Sequence, residues 1–548
     1  MNSDYLVALK KSFKGDFDND DKTLDIYSRD ASFFLVRPLG VFSPRDTEDI
    51  KTLVKNVLEC KAQGGNFSLT ARSGGTDMTG GPLTESFVVD VQKYMNKIKE
   101  LGENYAIVEP GIFYRDFEKE TLKKNLLLPS YPASREICTV GGMVANNSGG
   151  EKTLRYGKTE DYLLEVKMVC SDGEEHMFGP LSLEQLEGKS HLDNFEGEIY
   201  RKLPPLILNN NELLNAGKPK VSKNSSGYFL WNVWDEEKKI FNLAKLIVGS
   251  QGTLGLITEV KLRLIKPENH SRMLVIFLND LKILPEVVRR VLIKKPESFE
   301  SYDKHTFSVA MKFIPELIKH MSGNLLTLGI KFLPELWMVL RGGLPEMVLM
   351  AEFTANSGEE TYRLAEEARA NLEDLKIETK TTKSAWEASK YWAMRRESFN
   401  LLRRHTKGFR TAPFIDDIIV LPEKLGEFLP KLYQILEKHK LVYTIAGHVG
   451  DGNFHIIPLM KISDPSVKNV ISSLLAEVSA LVFSYGGSMS AEHNDGLIRT
   501  PMLKEMFGEK IYNLFAEVKN IFDPNAIFNP QKKIGGTMDY MMSHLDNK

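Results

Sequence analysis

Cysteine is scarce in this chain of 548 residues: Cys60, Cys138 and Cys170 stand far apart, with no Cys-x-x-Cys pair. That spacing excludes a ligated iron–sulfur cluster and a cysteine zinc knuckle, and it offers no disulfide framework. A reducing cytoplasm is the expected compartment. Long apolar runs are missing as well. No stretch reaches ~18 uninterrupted apolar residues, so no transmembrane helix is expected. Met1 to Lys22 is charged throughout and lacks the apolar core of a signal peptide. Neither charge sign is in surplus: 71 Lys plus Arg face 73 Asp plus Glu, for a formal net charge of −2. Without a long basic block, neither nucleic acid nor an anionic membrane is favoured as the main partner. What is present is a chain with 42% hydrophobic residues, enough for a sizeable core. At roughly 150 residues per domain it makes three or four units or one large bilobed enzyme, and small-molecule chemistry is the default.

Helical and strand patterns alternate from the start. Ser43 is a candidate N-cap for a helix carrying Ile50, Leu53, Val54, Val57 and Leu58, and strands are expected at 67–72, 87–91, 106–108 and 164–170. The acidic run Asp16, Asp18, Asp20 imitates half of a calcium loop but fails where Gly and Glu are required, so a solvated arm is expected there. Residues 182–239 look like an irregular insertion. Beyond about residue 267 the helices lengthen and glycine thins out. A piece from Leu325 to Met350, with Trp337 and Met338, is expected to pack between lobes or at a homodimer contact. Weak peripheral membrane contact is the other reading of it.

Three glycine clusters fall in the first half. Residues 72–81 read Arg-Ser-Gly-Gly-Thr-Asp-Met-Thr-Gly-Gly; a second cluster spans Thr139 to Asp161, and Gly249 to Gly255 forms a third. Glycine lets successive backbone N–H groups approach an oxyanion with no Cβ in the way. Three such loops point to one extended phosphate-bearing cofactor. Gly157-Lys158-Thr159 is not a Walker A end, because Lys152 occupies the required glycine position, and no Rossmann fingerprint is present.

In the second half, Gly447-His448-Val449-Gly450-Asp451-Gly452-Asn453-Phe454-His455 suggests a β-hairpin turning at Asp451-Gly452, with His448 opposite His455. Directly opposed side chains lie ~4.5–5.5 Å apart, which suits two imidazoles on one divalent ion. Two unrelated surface histidines are the alternative. Glu492 or His493 would be a third ligand, leaving open positions as in a catalytic site.

Together, PLGVFSPRDTEDI, ARSGGTDMTGG, LPSYPASREICTVGGMVANNSGG, LIVGSQGTLGLITEV, GHVGDGNFH and AEHNDG resemble the vanillyl-alcohol-oxidase (PCMH-type) flavoproteins. Within them the likeness is greatest to the D-lactate, glycolate and D-2-hydroxyglutarate dehydrogenase branch. The resemblance runs from about Tyr27 to Gly536. It implies an α+β fold: an N-terminal arm at 1–29, a two-lobed FAD-binding domain at 30–267, an antiparallel-sheet, ferredoxin-like cap at 268–520, and a segment at 521–548 returning to the FAD domain. By that resemblance Ser73, Gly74, Gly75, Thr76, Asp77 and Thr79 hold the FAD pyrophosphate. Pro132, Ser134, Gly141, Gly142, Ala145, Asn146, Ser148, Gly252 and Ile257 line the flavin and adenosine. Thr76 stands where relatives that tether FAD covalently carry His, so noncovalent FAD is expected.

The same resemblance makes His448, His455 and Glu492 ligands of a divalent metal, zinc first and manganese or iron next. His493 would be the base and Arg395 the clamp on the substrate carboxylate, with Arg403, Arg404 and Arg410 as further cations nearby. Four positions depart from the pattern. Gln251 replaces an acid and Asn494 replaces Gly. Ile415 and Ile457 occupy positions where 2-hydroxyglutarate-specific members carry Lys and Asn, which favours a monocarboxylate or an apolar hydroxy acid. The implied reaction is oxidation of a D-2-hydroxy acid to the 2-oxo acid. The chain reaches Lys548 without a cysteine-rich module, so electrons are expected to pass to a separate protein, a quinone or oxygen. A flavin oxidase acting on another alcohol, and a flavin-bearing electron-transfer subunit, are the alternatives.

Overall fold

The computed structural model describes residues 3–312, 343–405 and 408–547. Most of the Leu325–Met350 piece, and with it the expected membrane or dimer contact, lies outside the described residues, as do the side chains of Arg403 and Arg404.

The first half contains two sheets. Strands Gly40–Ser43, Phe87–Asp90 and Leu69–Arg72 pair in parallel, with Asp16–Asp18 antiparallel at the edge. Gly40–Ser43 and Phe87–Asp90 are buried along their whole length. Such a sheet is covered on both faces, so its strands are continuously apolar rather than alternating. Helix Thr47–Ala62 turns Ile50, Leu53, Val54 and Val57 toward it, the three- and four-residue spacing of one helical stripe. Asp46, not Ser43, caps that helix by accepting from the Asp49 amide, because Ser43 is already paired with Asp16 in the sheet. The acids of that run stay at the surface, but the arm carrying them is anchored: Phe17 packs against Phe42 with ring centroids 4.6 Å apart, and Leu9 of the preceding helix Ser3–Lys10 is fully buried.

The second sheet is antiparallel, in the order Ile98–Leu101, Tyr105–Val108, Leu256–Arg263, Leu163–Val169, Glu175–Phe178. The stretch expected to be irregular carries three helices, Leu183–Ser190, Phe195–Leu208 and Asn211–Gly217. Ser182 and Asn194 cap the first two. Buried Ile199, Leu203 and Ile207 were masked in the sequence by surrounding polar residues and by Pro204 and Pro205 inside the helix.

The cap is built on one large antiparallel sheet, ordered Glu378–Thr381, His270–Leu278, Met347–Ala355, Ser298–Asp303, Val442–His448, Asn453–Met460, Arg410–Thr411. Helices Leu284–Leu292, Gly358–Ala370, Leu425–Lys438 and Val467–Ser484 contribute to a single core with one face of it. Each fully buried Leu or Val there contributes roughly 1.5–3 kcal/mol. Val467–Ser484 is long and apolar enough by composition to cross a membrane, but its Ile471, Leu474, Leu475, Val478 and Val482 are spent on this core. Helices Lys304–Lys312 and Ala385–His405 lie on the other face, the second bringing Tyr391 and Met394 onto the sheet.

The chain leaves the cap before residue 520. Helix Leu503–Phe522 packs Phe515, Val518 and Phe522 into the core of the first half. The segment after it lies alongside strand Leu69–Arg72, with Leu69 N donating to Ile527 O (2.7 Å) and Asn529 N to Leu69 O (2.9 Å).

Candidate functional site

The three glycine loops converge on one cleft. Residues of all three loops line it, so one guest lying along it would touch each loop in turn. In the first loop Asp77 Oδ1 accepts from Thr79 N (2.6 Å) and Thr79 Oγ1 (2.7 Å), folding the loop back on itself. In the second, Thr139 caps the short helix Val140–Asn146. A Cβ on Gly142 would stand 2.6 Å from Ser73 Oγ, so glycine is what lets the first two loops close on each other. The third is stitched to the second by Gly249 N to Val144 O (2.9 Å) and Gln251 N to Ala145 O (2.8 Å).

Ser73, Gly75, Thr76, Asp77, Pro132, Ser134, Gly141, Gly142, Ala145, Asn146, Ser148, Gly252 and Ile257 line the cleft. Gly74 and Thr79 do not. A Cβ at Gly74 would meet Ile137 O at 2.4 Å, and Thr79 is fully buried with its hydroxyl turned to Asp77; both shape the loop from behind. Asn146 Oδ1 is buried without a partner among the described residues. A cofactor that donates there would satisfy it, which is the fit expected of the flavin end.

Glu492 and His493 line the far end of the same cleft, and there the cap contributes its chemistry. His448 ends strand Val442–His448, and His455 stands near the start of Asn453–Met460. The ladder pairs His448 with Asn453 and Ala446 with His455, so the expected two-residue turn is replaced by a four-residue loop, Val449 to Gly452. Gly450 N donates to Phe299 O of the neighbouring strand (3.0 Å), which holds the loop open, and Gly452 takes φ +77°. The shift amounts to two residues, so both imidazoles keep the same face. Their ring centroids are 5.2 Å apart.

Both rings point Nε2 at one atom. Glu492 Oε1 is 3.1 Å from His448 Nε2 and 3.2 Å from His455 Nε2. Behind them, His448 Nδ1 meets Glu300 Oε1 at 2.6 Å and His455 Nδ1 meets Asp416 Oδ1 at 3.1 Å. A carboxylate on Nδ1 fixes the proton there and leaves the Nε2 lone pair facing forward. Two lone pairs aimed at a carboxylate oxygen need a cation between them. A proton on His455 supplies it in the absence of metal: burial opposes the charge there, but Asp416 and Glu492 together push its pKa up to about 10. A divalent ion supplies it equally. Donor–donor spacings of 3.1–3.2 Å lie between the ~2.8–3.1 Å edge of an octahedron and the ~3.3–3.6 Å edge of a tetrahedron built on bonds of about 2.0–2.2 Å.

Asp417, His455, Glu492 and His493 also lie close enough to share an ion. Asp417 is already committed, however: Oδ2 accepts from Ser490 Oγ (2.9 Å), Glu492 N (2.9 Å) and His493 N (2.7 Å), and Oδ1 from Asn453 Nδ2 (3.2 Å). It is the template on which the Glu492–His493 segment is folded, and it takes φ +67° itself. His493 Nδ1 lies 2.9 Å from Asp416 Oδ2 in an ion pair, and its ring stacks 4.9 Å from that of His455. Burial lowers its pKa, Asp417 and Asp416 raise it, and the carboxylates prevail.

Arg395 is joined to this assembly indirectly. Its Nη2 pairs with Glu300 Oε2 at 2.5 Å, and Arg395 and His448 together hold Glu300 below the usual carboxylate range against the effect of burial. Its Nε has no hydrogen-bond partner among the described residues, so the guanidinium still has a donor to offer. Arg410 is turned away, paired with Asp546 at 2.6 Å. Ile415 is fully buried in the cap core and does not face the cleft, whereas Ile457, two residues past His455, shares its face of the strand.

Four functional side chains escaped the sequence reading: Glu300, Asp416, Lys158 and Lys223. Lys158, fully buried, donates to Asn224 O (2.5 Å), Ser225 Oγ (2.8 Å) and Ala491 O (3.0 Å), the last beside Glu492. Each comes from a segment remote in sequence, and only Asp416, set among the apolar residues of APFIDDIIV, stood out from its surroundings.

A two-lobed flavin-binding fold with a carboxylate–histidine cluster above the flavin cleft is the class these features define. Residues 38–179 match the FAD binding domain and residues 267–533 the C-terminal domain of FAD linked oxidases; the chain belongs to that family. It is 27% identical over 539 residues to the D-2-hydroxyglutarate dehydrogenase of Pseudomonas putida, covering 96% of this chain and 51% of that protein. To the D-lactate dehydrogenase of Archaeoglobus fulgidus it is 26% identical over 524 residues, covering 93% and 96%. The chain spans about half the length of the D-2-hydroxyglutarate dehydrogenases heading that comparison. Among solved structures, p-cresol methylhydroxylase with substrate bound superposes with a TM-score of 0.68 at 14% identity, covering 97% of both chains. 4-Ethylphenol oxidase from Gulosibacter chungangensis gives 0.67 at 17%, covering 98% and 97%. These two share the fold.

Proposed function

We propose that the protein oxidises a D-2-hydroxy acid to the 2-oxo acid, with noncovalent FAD and a divalent metal, and passes the electrons to a separate acceptor. The observation that carries this reading is the convergence of His448 Nε2 and His455 Nε2 on Glu492 Oε1 at the end of the FAD cleft. The names of the relatives, which act on D-2-hydroxyglutarate and D-lactate, support the substrate class.

His448, His455 and Glu492 would hold the metal, leaving positions for a hydroxyl and a carboxylate oxygen. When bound, FAD would supply a hydride acceptor for the C2 hydrogen, and the metal would supply a Lewis acid that lowers the pKa of the hydroxyl. His493, its Nδ1 held by Asp416, takes the hydroxyl proton at Nε2. Arg395 takes the substrate carboxylate, its orientation set by Glu300. Thr76 offers the flavin no imidazole for a covalent link. Ile457, on the face of His455, cannot pair a second desolvated carboxylate, which favours a monocarboxylic substrate.

The deciding experiment is anaerobic. A panel of D- and L-2-hydroxy acids is titrated against the flavin absorbance of the metal-replete protein. Bleaching by D-2-hydroxy acids and not by their L-forms is expected; a flavin untouched by the whole panel with metal bound would refute the reading.

A further inference from the structure

Lys223 lies in no helix or strand, yet its side chain is 2% exposed. Its Nζ is 3.1 Å from Glu492 Oε2 and 3.6 Å from Asp451 Oδ2. It thus touches both pieces of chain that carry the metal-site residues: Asp451 sits in the loop between His448 and His455, and Glu492 in the segment folded on Asp417. The backbone around it is strapped to the same two pieces. Ser222 Oγ donates to Asp451 O (3.2 Å), Ser225 N to Ser490 O (2.8 Å) and Gly227 N to Asp495 Oδ2 (2.9 Å). Lys158 and Lys533 clamp it from behind, through Asn224 O and Gly227 O. So much buried hydrogen bonding fixes the ammonium in place.

A buried lysine beside a metal-binding carboxylate is costly on two counts: it is desolvated, and its charge repels the ion. Its geometry identifies what offsets that cost. Glu492 has one oxygen on the two imidazoles and the other on Lys223. We infer that Lys223 is a positioning residue that keeps Glu492 a one-oxygen ligand, so that a coordination position stays open for substrate. This rests on the metal reading given above. Without the ammonium, Oε2 is free to turn onto the ion, and the local field becomes more negative by one charge. Both changes tighten the metal and close the site.

The direction is what separates this role from a merely structural one. Wild type and Lys223→Met are stripped of metal with FAD in place and titrated with Co²⁺, whose visible spectrum reports coordination number. Lys223→Met is expected to bind Co²⁺ at least about tenfold more tightly than wild type, from the removed repulsion alone. Its spectrum should no longer respond to added D-lactate or azide, whereas the wild-type spectrum responds to both. Lys223→Arg, which keeps the charge, should restore the response. Weaker Co²⁺ binding in Lys223→Met at unchanged FAD content would overturn the inference and leave the metal site standing. No Co²⁺ binding by wild type would remove both. Should Lys223→Met not fold, Lys223→Gln is titrated in its place with the same outcomes expected, and an unresponsive wild-type spectrum would by itself refute the inference.

Discussion

Asn494 and Gln251 depart from the family pattern, and both departures are compensated within a few ångströms. Asn494 takes φ +70°, a conformation for which glycine is the usual choice and asparagine the next best. Its amide then donates to Asn146 O (3.0 Å) and Gly249 O (2.9 Å), binding the first half to the segment that carries Glu492. Gln251 Oε1 accepts from Gly496 N (2.9 Å) while Nε2 faces Asp77 Oδ2 at 3.4 Å; an acid there would set a second negative charge against Asp77. Asn494→Ala should therefore destabilise more than Asn494→Gly. The alanine suffers about 1–2 kcal/mol of left-handed strain, and both variants strand the two carbonyls. Thermal unfolding of both should rank wild type, Gly, Ala, and the reverse order of the two variants would show that the left-handed φ does not set the difference between them. The cleft-lining residues were legible in the sequence because glycine and small residues cluster where backbone must approach a ligand. Glu300, Asp416 and Lys223 were not, because a buried counterion is defined by what it meets across the fold, and Glu300 lies 148 residues from His448.

Along single elements, residue pattern foretold helix Thr47–Ala62 and strands such as Leu69–Arg72 and Phe87–Asp90, but neither the helices between residues 183 and 217 nor the loop joining the two histidine-bearing strands. A two-residue and a four-residue connection present the same faces to solvent and core, so the residue pattern cannot separate them; the bond from Gly450 to the neighbouring strand does. The strand Met347–Ala355 carries a different kind of surprise. Its partly buried Glu352 has its pKa pushed up to about 7, by burial against the hydrogen bond from Ser271, and with the help of Glu297 and Glu151. A carboxyl whose folded pKa exceeds its unfolded value of about 4.5 stabilises the fold below pH 4.5, and the benefit is lost as pH rises through 7. Replacing Glu352 with Gln should accordingly remove roughly 1–3 kcal/mol of this pH dependence. Melting temperatures of wild type and variant, compared at pH 5 and pH 8, should converge at the acid end and separate in the variant's favour at the alkaline end. Parallel curves would place the proton elsewhere.

The two halves divide the labour. Loops of the first half line the cleft, strands of the second bring two imidazoles over its end, and Asn146, whose side chain donates to Glu492 O (3.0 Å), joins the two. His448→Ala and His455→Ala should each abolish stoichiometric metal while leaving the flavin spectrum intact; metal analysis beside absorbance reads both at once, and loss of flavin would mean the pair holds the lobes together instead. Denaturation followed by filtration should release all the flavin, as noncovalent binding requires. The bilobed arrangement was foreseeable from the change in composition near residue 267. The early return of the chain at helix Leu503–Phe522 was not, since an amphipathic helix does not announce which core it will join.

That return has a consequence in time. Thr70 and Asn529, whose side chains bond at 3.2 Å beneath the cofactor loops, are 459 residues apart. At roughly 5–20 residues per second, a ribosome takes on the order of 20–90 s to travel between them. Throughout that interval the strand Leu69–Arg72 has an unpaired edge and the first cofactor loop an unfinished floor. The cap therefore has to be made before the domain that precedes it can close, and flavin is expected to be captured by the finished chain rather than by its first half.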